Sequence, residues 1–180
     1  DFPKYEGFFY NLLDKGSLEF RKTDKGTKEL FYITKEGREI PIHATATSIK
    51  QLSLLYLFLR YGNSTDKKVL FMEEPEMNLH PELQMRLAAL FSKIVHNGGW
   101  VFLTTHSDYF TLTLSSLIRI KYLKNKSEKL EEKLKELGLS IEEIPDVEDL
   151  GIYLFKKEND KVFVERIYAS PEEGIPKDSF

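Results

Sequence analysis

Apolar positions along this chain fall into distinct rhythms. Ser17 to Arg21, Lys28 to Thr34 and Glu39 to His43 are short β-prone runs, with Lys25-Gly26 and Glu36-Gly37 between them. Short runs divided by turn residues predict an antiparallel meander. Ile49 to Tyr61 is apolar on nearly every side, which predicts a buried helix with Ser48 as its N-cap. Gly62 to Asp66 ends that helix in a loop. Lys68 to Met72 is short, apolar and unbroken, the pattern of a buried strand.

Pro81 suits the first turn of the next helix, which is expected to run to about Asn97. Its apolar face carries Leu83, Leu87, Leu90, Phe91 and Ile94, and Gly98-Gly99 closes it. Trp100 to Thr104 reads as a second buried strand, followed by a helix from about Ser107 to Lys121. Buried strands alternating with helices predict a parallel sheet covered by helices. Lys124 to Leu137 alternates Lys and Glu, including Glu128/Glu132 and Lys129/Lys133, and reads as a solvated helical insertion. Gly151 to Lys156 and Lys161 to Tyr168 flank Glu158-Asn159-Asp160 as a closing hairpin. Residues 1–16 are aromatic-rich without a clear period, and Phe8-Phe9-Tyr10 is read as core.

Composition narrows the picture only slightly. The 180 residues suffice for one domain with a real core. A net charge of −3 gives no electrostatic reason to expect nucleic acid. The absence of cysteine excludes disulfides and thiolate zinc sites. The apolar stretch Leu52 to Leu59 is too short to span a bilayer, and no secretory signal is present, so the reading is cytoplasmic. The chain begins at Asp1 and ends at Phe180, just after Gly174-Ile175-Pro176, and both ends read as cuts through a longer polypeptide.

The chemistry concentrates where the two apolar runs end. The first leads into Glu73-Glu74-Pro75-Glu76, the second into Thr104-Thr105-His106-Ser107. Ligands of open α/β sheets sit beyond the carboxyl ends of the strands. Neighbouring strand residues point to opposite sides, so Glu73 and Glu74 need not share a role. One carboxylate there can hold Mg²⁺, a second can orient or deprotonate a water, and a histidine can sense a terminal phosphate. Nowhere does G-x-x-x-x-G-K-[ST] occur, so the phosphate loop such a site needs is missing from these residues.

The pair of motifs, Glu73-Glu74-Pro75-Glu76-Met77-Asn78-Leu79-His80-Pro81 and Thr104-Thr105-His106-Ser107-Asp108-Tyr109, resembles the ABC-type branch of the P-loop ATPases. That branch includes ABC transporters and SMC- and RecF-like DNA-repair ATPases. More narrowly, the motifs are similar to the AAA15/AAA21-like group. The resemblance covers about residues 43–120, with a weaker echo at Gly174-Ile175-Pro176. It implies a Walker B strand from Leu70 to Glu73, with Glu73 as the magnesium-associated acid where ABC proteins usually carry Asp. It also implies Glu74 as the catalytic carboxylate, Asn78 to Pro81 as a D-loop region at a dimer interface, and His106 as the switch histidine on the γ-phosphate.

Thr47-Ser48-Ile49-Lys50-Gln51 sits where the signature L-S-G-G-Q is expected. Ser48 and Gln51 match it, while Ile49 and Lys50 replace the glycines. A serine at a helix N-terminus still favours an anion, and Lys50 adds a point charge.

The implied architecture is α/β: a mainly parallel sheet flanked by helices, as in the C-terminal half of an ABC-head-like P-loop NTPase, with a β meander on its N-terminal side. It is one partial ATPase domain with a meander region (1–46), a signature-like helix with the Walker B and switch-histidine core (47–122), a charged helical insertion (123–149), and a closing hairpin and tail (150–180). The implied function is ATP binding and hydrolysis with Mg²⁺, through a homodimer or head-to-head ATPase dimer, with the Walker A loop upstream. DNA stays open as a partner. Two other classes are kept: a metal-dependent nuclease or hydrolase, and a non-catalytic ATPase-head interaction module. A metal site from His80, His106 and Glu76 is conceivable, though no H-E-x-x-H-like spacing supports it. Ser48 as a plain cap and His106 as a structural histidine are the simpler readings of those residues.

Overall fold

The meander forms where the sequence alternates between turn residues. Strand β1 (Ser17–Lys22) pairs antiparallel with β2 (Lys28–Ile33), and β2 with β3 (Glu39–Pro41). The computed structural model describes residues 2–22, 26–62, 69–124 and 127–176. The expected loop at Asn63 to Asp66, the strand start at Lys68 and the turn residue Lys25 lie outside the described residues.

Ahead of the meander stands a helix that the sequence reading left unassigned, α1 (Pro3–Leu12). Its buried residues Tyr5, Phe8, Phe9 and Leu12 recur at helical spacing, and Pro3 fits its first turn. Tyr10 of the aromatic cluster instead faces solvent. The α1 face meets the next helix, α2 (Thr47–Tyr61), through edge-on packing of Phe9 and Phe2 against Tyr56 at 5.2 and 5.0 Å. The Tyr32 hydroxyl donates to the Leu13 carbonyl at 2.7 Å and ties the meander to the end of α1. Ser48 does not cap α2. The cap position is Ala46, and Ser48 lies within the first helical turn, because the helix starts two residues earlier than the Ser48 cap required.

The centre of the molecule is β4 (Val69–Glu73), α3 (Pro81–His96), β5 (Trp100–Thr104) and α4 (Asp108–Tyr122). Strands β4 and β5 run parallel, with Val69 opposite Trp100 and Glu73 opposite Thr104. Leu87, Ala88, Ala89 and Leu90 of α3 are fully buried, and Phe91 meets Phe110 of α4 edge-on at 6.1 Å. Burying each large apolar side chain here is worth roughly 1.5–3 kcal/mol.

One expectation is corrected. The strands are not buried on both faces. Leu70 is buried, and Met72, Val101 and Leu103 pack against the core, but Phe71 is 76% exposed and Val69, Trp100 and Phe102 share its open face. Among the described residues the parallel pair is two strands wide, beside two antiparallel sheets. An apolar run shows that both faces can be buried; burial itself depends on what packs there, and only one face is covered.

The charged stretch forms α5 (Glu128–Leu137), closed by Gly138 at φ 82°. It is more closely docked than a solvated insertion needs: Leu134 is buried, and Arg86 of α3 donates to the Glu136 carbonyl at 3.0 Å. The hairpin β6 (Ile152–Glu158) and β7 (Lys161–Ile167) follows, turning on Asn159 and Asp160 with φ 47° and 60°. Two adjacent left-handed residues suit a tight two-residue hairpin loop. Among the described residues, no helix is long and apolar enough to cross a membrane.

Candidate functional site

Because β4 and β5 are parallel and in register, their carboxyl ends deliver Glu73 and Thr104 side by side. Glu73 is exposed. At Glu74 the chain leaves the strand through a left-handed conformation, φ 42°. For a residue with a Cβ this costs roughly 1–2 kcal/mol, and strain of this kind clusters at functional sites. Four hydrogen bonds hold it. The Glu74 N–H donates to the Thr104 carbonyl at 3.1 Å and to its hydroxyl at 3.3 Å. The Glu74 carbonyl accepts from the Met77 N–H at 2.9 Å and from the Gln51 side-chain amide at 3.0 Å. The buried ring of Pro75 follows and further restricts the residue before it.

With its backbone fixed, Glu74 presents its carboxylate to His106, whose Nε2 lies 3.5 Å from Glu74 Oε1. The carboxylate is 32% exposed and the imidazole 86%. An ion pair this open is worth about 0–1 kcal/mol. The contact therefore marks proximity at an accessible mouth rather than a structural clasp.

Behind this pair lies a hydrogen-bonded layer. Glu76 is only 4% exposed, and its Oε1 accepts the Thr105 hydroxyl at 2.5 Å. The Thr105 oxygen accepts the Ser107 N–H at 3.0 Å. The Ser107 hydroxyl donates to the Gln84 side-chain oxygen and accepts the Phe110 N–H at 3.2 Å, capping α4. Gln84 in turn donates to the Leu79 carbonyl at 3.0 Å. The other carboxylate oxygen of Glu76 is buried without a protein partner.

Of the residues singled out from sequence, the structure gathers Glu73, Glu74, Gln51 and His106 around the two strand ends. Ser48 and Lys50 share the first turn of α2 with Gln51, the residue that reaches Glu74; Lys50 is exposed and Ser48 half-buried. Asn78 stands exposed at φ 64° in the loop before α3. His80 occupies the cap position of α3 without a side-chain bond to it. Thr104, Thr105, Gln84 and Ser107 belong to the arrangement but were not assigned site roles from sequence. The signal for Thr104, Thr105 and Ser107 was the hydroxyl-rich run at the end of β5; no local signal marked Gln84.

Among the described residues, no three His, Asp or Glu side chains converge to hold a metal, so His80, His106 and Glu76 do not form a metal centre. Mg²⁺ needs no such cage. It binds through one or two carboxylates together with waters and phosphates, and the exposed Glu73 carboxylate beside the Thr104 hydroxyl fits that donor set.

The comparisons with known proteins concern the fold and the family. A solved structure from a study of ATP-driven dimerization and DNA-stimulated activation of SMC ATPases superposes with a TM-score of 0.56 at 13% identity, covering 93% of this chain and 81% of the other. A structure of the SmcHead bound to the C-winged helix domain of ScpA gives a TM-score of 0.55 at 13% identity, covering 92% of this chain and 41% of the other. The chain thus spans less than half the length of that second structure. At such identity both likenesses concern the fold. No curated protein sequence matches the chain. The model of the AAA ATPase domain matches residues 4–111, more than half of the chain and inclusive of both strand ends and the Glu74–His106 pair. The chain therefore belongs to the AAA_15 family of AAA ATPase domains.

Proposed function

We propose that this chain supplies the hydrolytic side of an ATP site whose phosphate loop lies in polypeptide outside these 180 residues. The observation that carries the reading is the meeting of Glu74 and His106 at 3.5 Å beyond two parallel strand ends. The missing G-x-x-x-x-G-K-[ST] supports the division.

In this reading the Glu74 carboxylate accepts a proton from the attacking water and orients it. Its strained, four-bonded backbone fixes the carboxylate before substrate arrives. The solvent-exposed His106 imidazole contacts the γ-phosphate. Glu73 would hold Mg²⁺, which would supply charge neutralisation on the phosphates. Gln51 locks the N-terminal turn of α2 to the Glu74 corner, so Ser48 and Lys50 of that turn face the nucleotide of a second head across a dimer. Asn78 lines the same interface.

The test is Glu74→Gln in a protein that includes a phosphate loop. ATP turnover should fall by about 10²–10⁴-fold, while ATP binding persists. Turnover within about threefold of the parent, against that expected loss, would refute the role of Glu74.

A further inference from the structure

We infer that Glu76 is a positioning residue for His106, acting through Thr105. The inference rests on the reading of Glu74 and His106 as nucleotide-facing groups. It begins from a carboxylate that the proposed chemistry leaves unused. Glu is almost never fully buried unless paired, yet Glu76 is withdrawn from solvent, and among the described residues its Oε2 has no hydrogen-bond partner. Its carboxylate accepts the Thr105 hydroxyl.

That bond decides how the histidine is carried. Thr105 precedes His106, and its hydroxyl oxygen also takes the Ser107 N–H. Ser107 follows His106 and is anchored through Gln84 to the Leu79 carbonyl. Both neighbours of His106 are thus tied to the 76–84 segment, while the imidazole itself stays in solvent. Two bridges, Glu76 to Thr105 and Leu79 through Gln84 to Ser107, join the loop after β4 to the turn after β5. The backbone of His106 is held while its ring remains available.

A merely structural role for Glu76 would lower stability and nothing else. The experiment therefore uses Thr105→Val, which removes the hydroxyl at equal size, and Thr105→Ser, which restores it. Glu76→Ala serves as a third variant if it folds. Hydrogen exchange of the Ser107 amide is followed in this chain, and kcat and KM for ATP are followed in a protein that includes a phosphate loop. Thr105→Val should speed Ser107 exchange by about 3- to 10-fold, the loss of one hydrogen bond. It should lower kcat by about 10- to 100-fold with KM little changed, as misplacement of a reacting group does. Thr105→Ser should return both toward the parent.

If Thr105→Val lowers the melting temperature but leaves Ser107 exchange and kcat unchanged, the inference is overturned. Glu74→Gln separates it from the parent reading: that variant should lower turnover by about 10²–10⁴-fold with Ser107 exchange intact. Should Glu74→Gln turn over normally, the nucleotide reading fails, and unchanged Ser107 exchange in Thr105→Val would overturn the bridge independently.

Discussion

The left-handed backbone at Glu74 makes a prediction whose sign is opposite to the usual one. Two variants are compared, Glu74→Ala and Glu74→Gly. Both delete the carboxylate and its contact with His106, so that loss cancels between them. At an ordinary position glycine is the less stable by roughly 0.5–1 kcal/mol, because the unfolded chain gains freedom. At φ 42° the alanine Cβ keeps a strain of roughly 1–2 kcal/mol that glycine escapes. The difference leaves Glu74→Gly more stable than Glu74→Ala by about 0.5–1 kcal/mol. In a chain of this size that is about 1–4 °C in melting temperature. Urea unfolding of the two variants side by side measures it, with equal m-values showing that the unfolded states match. If glycine proves the less stable by its ordinary margin, the corner is not strained, and the argument that Thr104 and Gln51 hold Glu74 against its own preference fails.

Two further predictions concern stability away from the site. Burial pushes the Glu143 carboxyl up, but the hydrogen bonds from the Lys93 ammonium and the Ser140 N–H outweigh it and hold the group below its ordinary value. A depressed folded value gives stability that is present above the unfolded carboxylate value of about 4.3 and is lost as pH falls through the folded one. Lys93→Met should cost about 1–3 kcal/mol at pH 7 and flatten the acid limb of a urea-midpoint profile; an unchanged limb would refute the coupling. Gly174→Ala should cost about 2–4 kcal/mol, since φ is +72° and the added Cβ would lie 2.3 Å from Ser115 Oγ; a thermal melt equal to the parent's would contradict that packing.

The elements most legible in the sequence were those with a short period and clear punctuation. The meander and the closing hairpin announced themselves as short β-prone runs divided by Glu36-Gly37 and Asn159-Asp160. Pro81 and Gly98 bounded α3 to within a residue. Helix α1 was missed because its aromatic density and central Gly7 obscured a period that Tyr5, Phe8, Phe9 and Leu12 nonetheless obey. The strand ends were legible because position in a parallel βαβ unit dictates where side chains emerge. The bond between Glu76 and Thr105 was not, since it joins residues 29 positions apart and no local pattern encodes it. Nor does apolar content tell which face of β4 and β5 is covered.

That uncovered face has a practical outcome. Trp100 is the chain's single tryptophan and heads a ladder of rings, stacked 6.4 Å from Phe102, which stacks 4.8 Å from Phe71. It stands 61% exposed at the opposite end of β5 from Thr104, about 13 Å away at the rise of a parallel strand. An indole in that setting emits as a hydrated fluorophore and moves to the blue when water leaves. The molecule carries an intrinsic optical gauge on this surface, readable without a label and remote from the carboxylates.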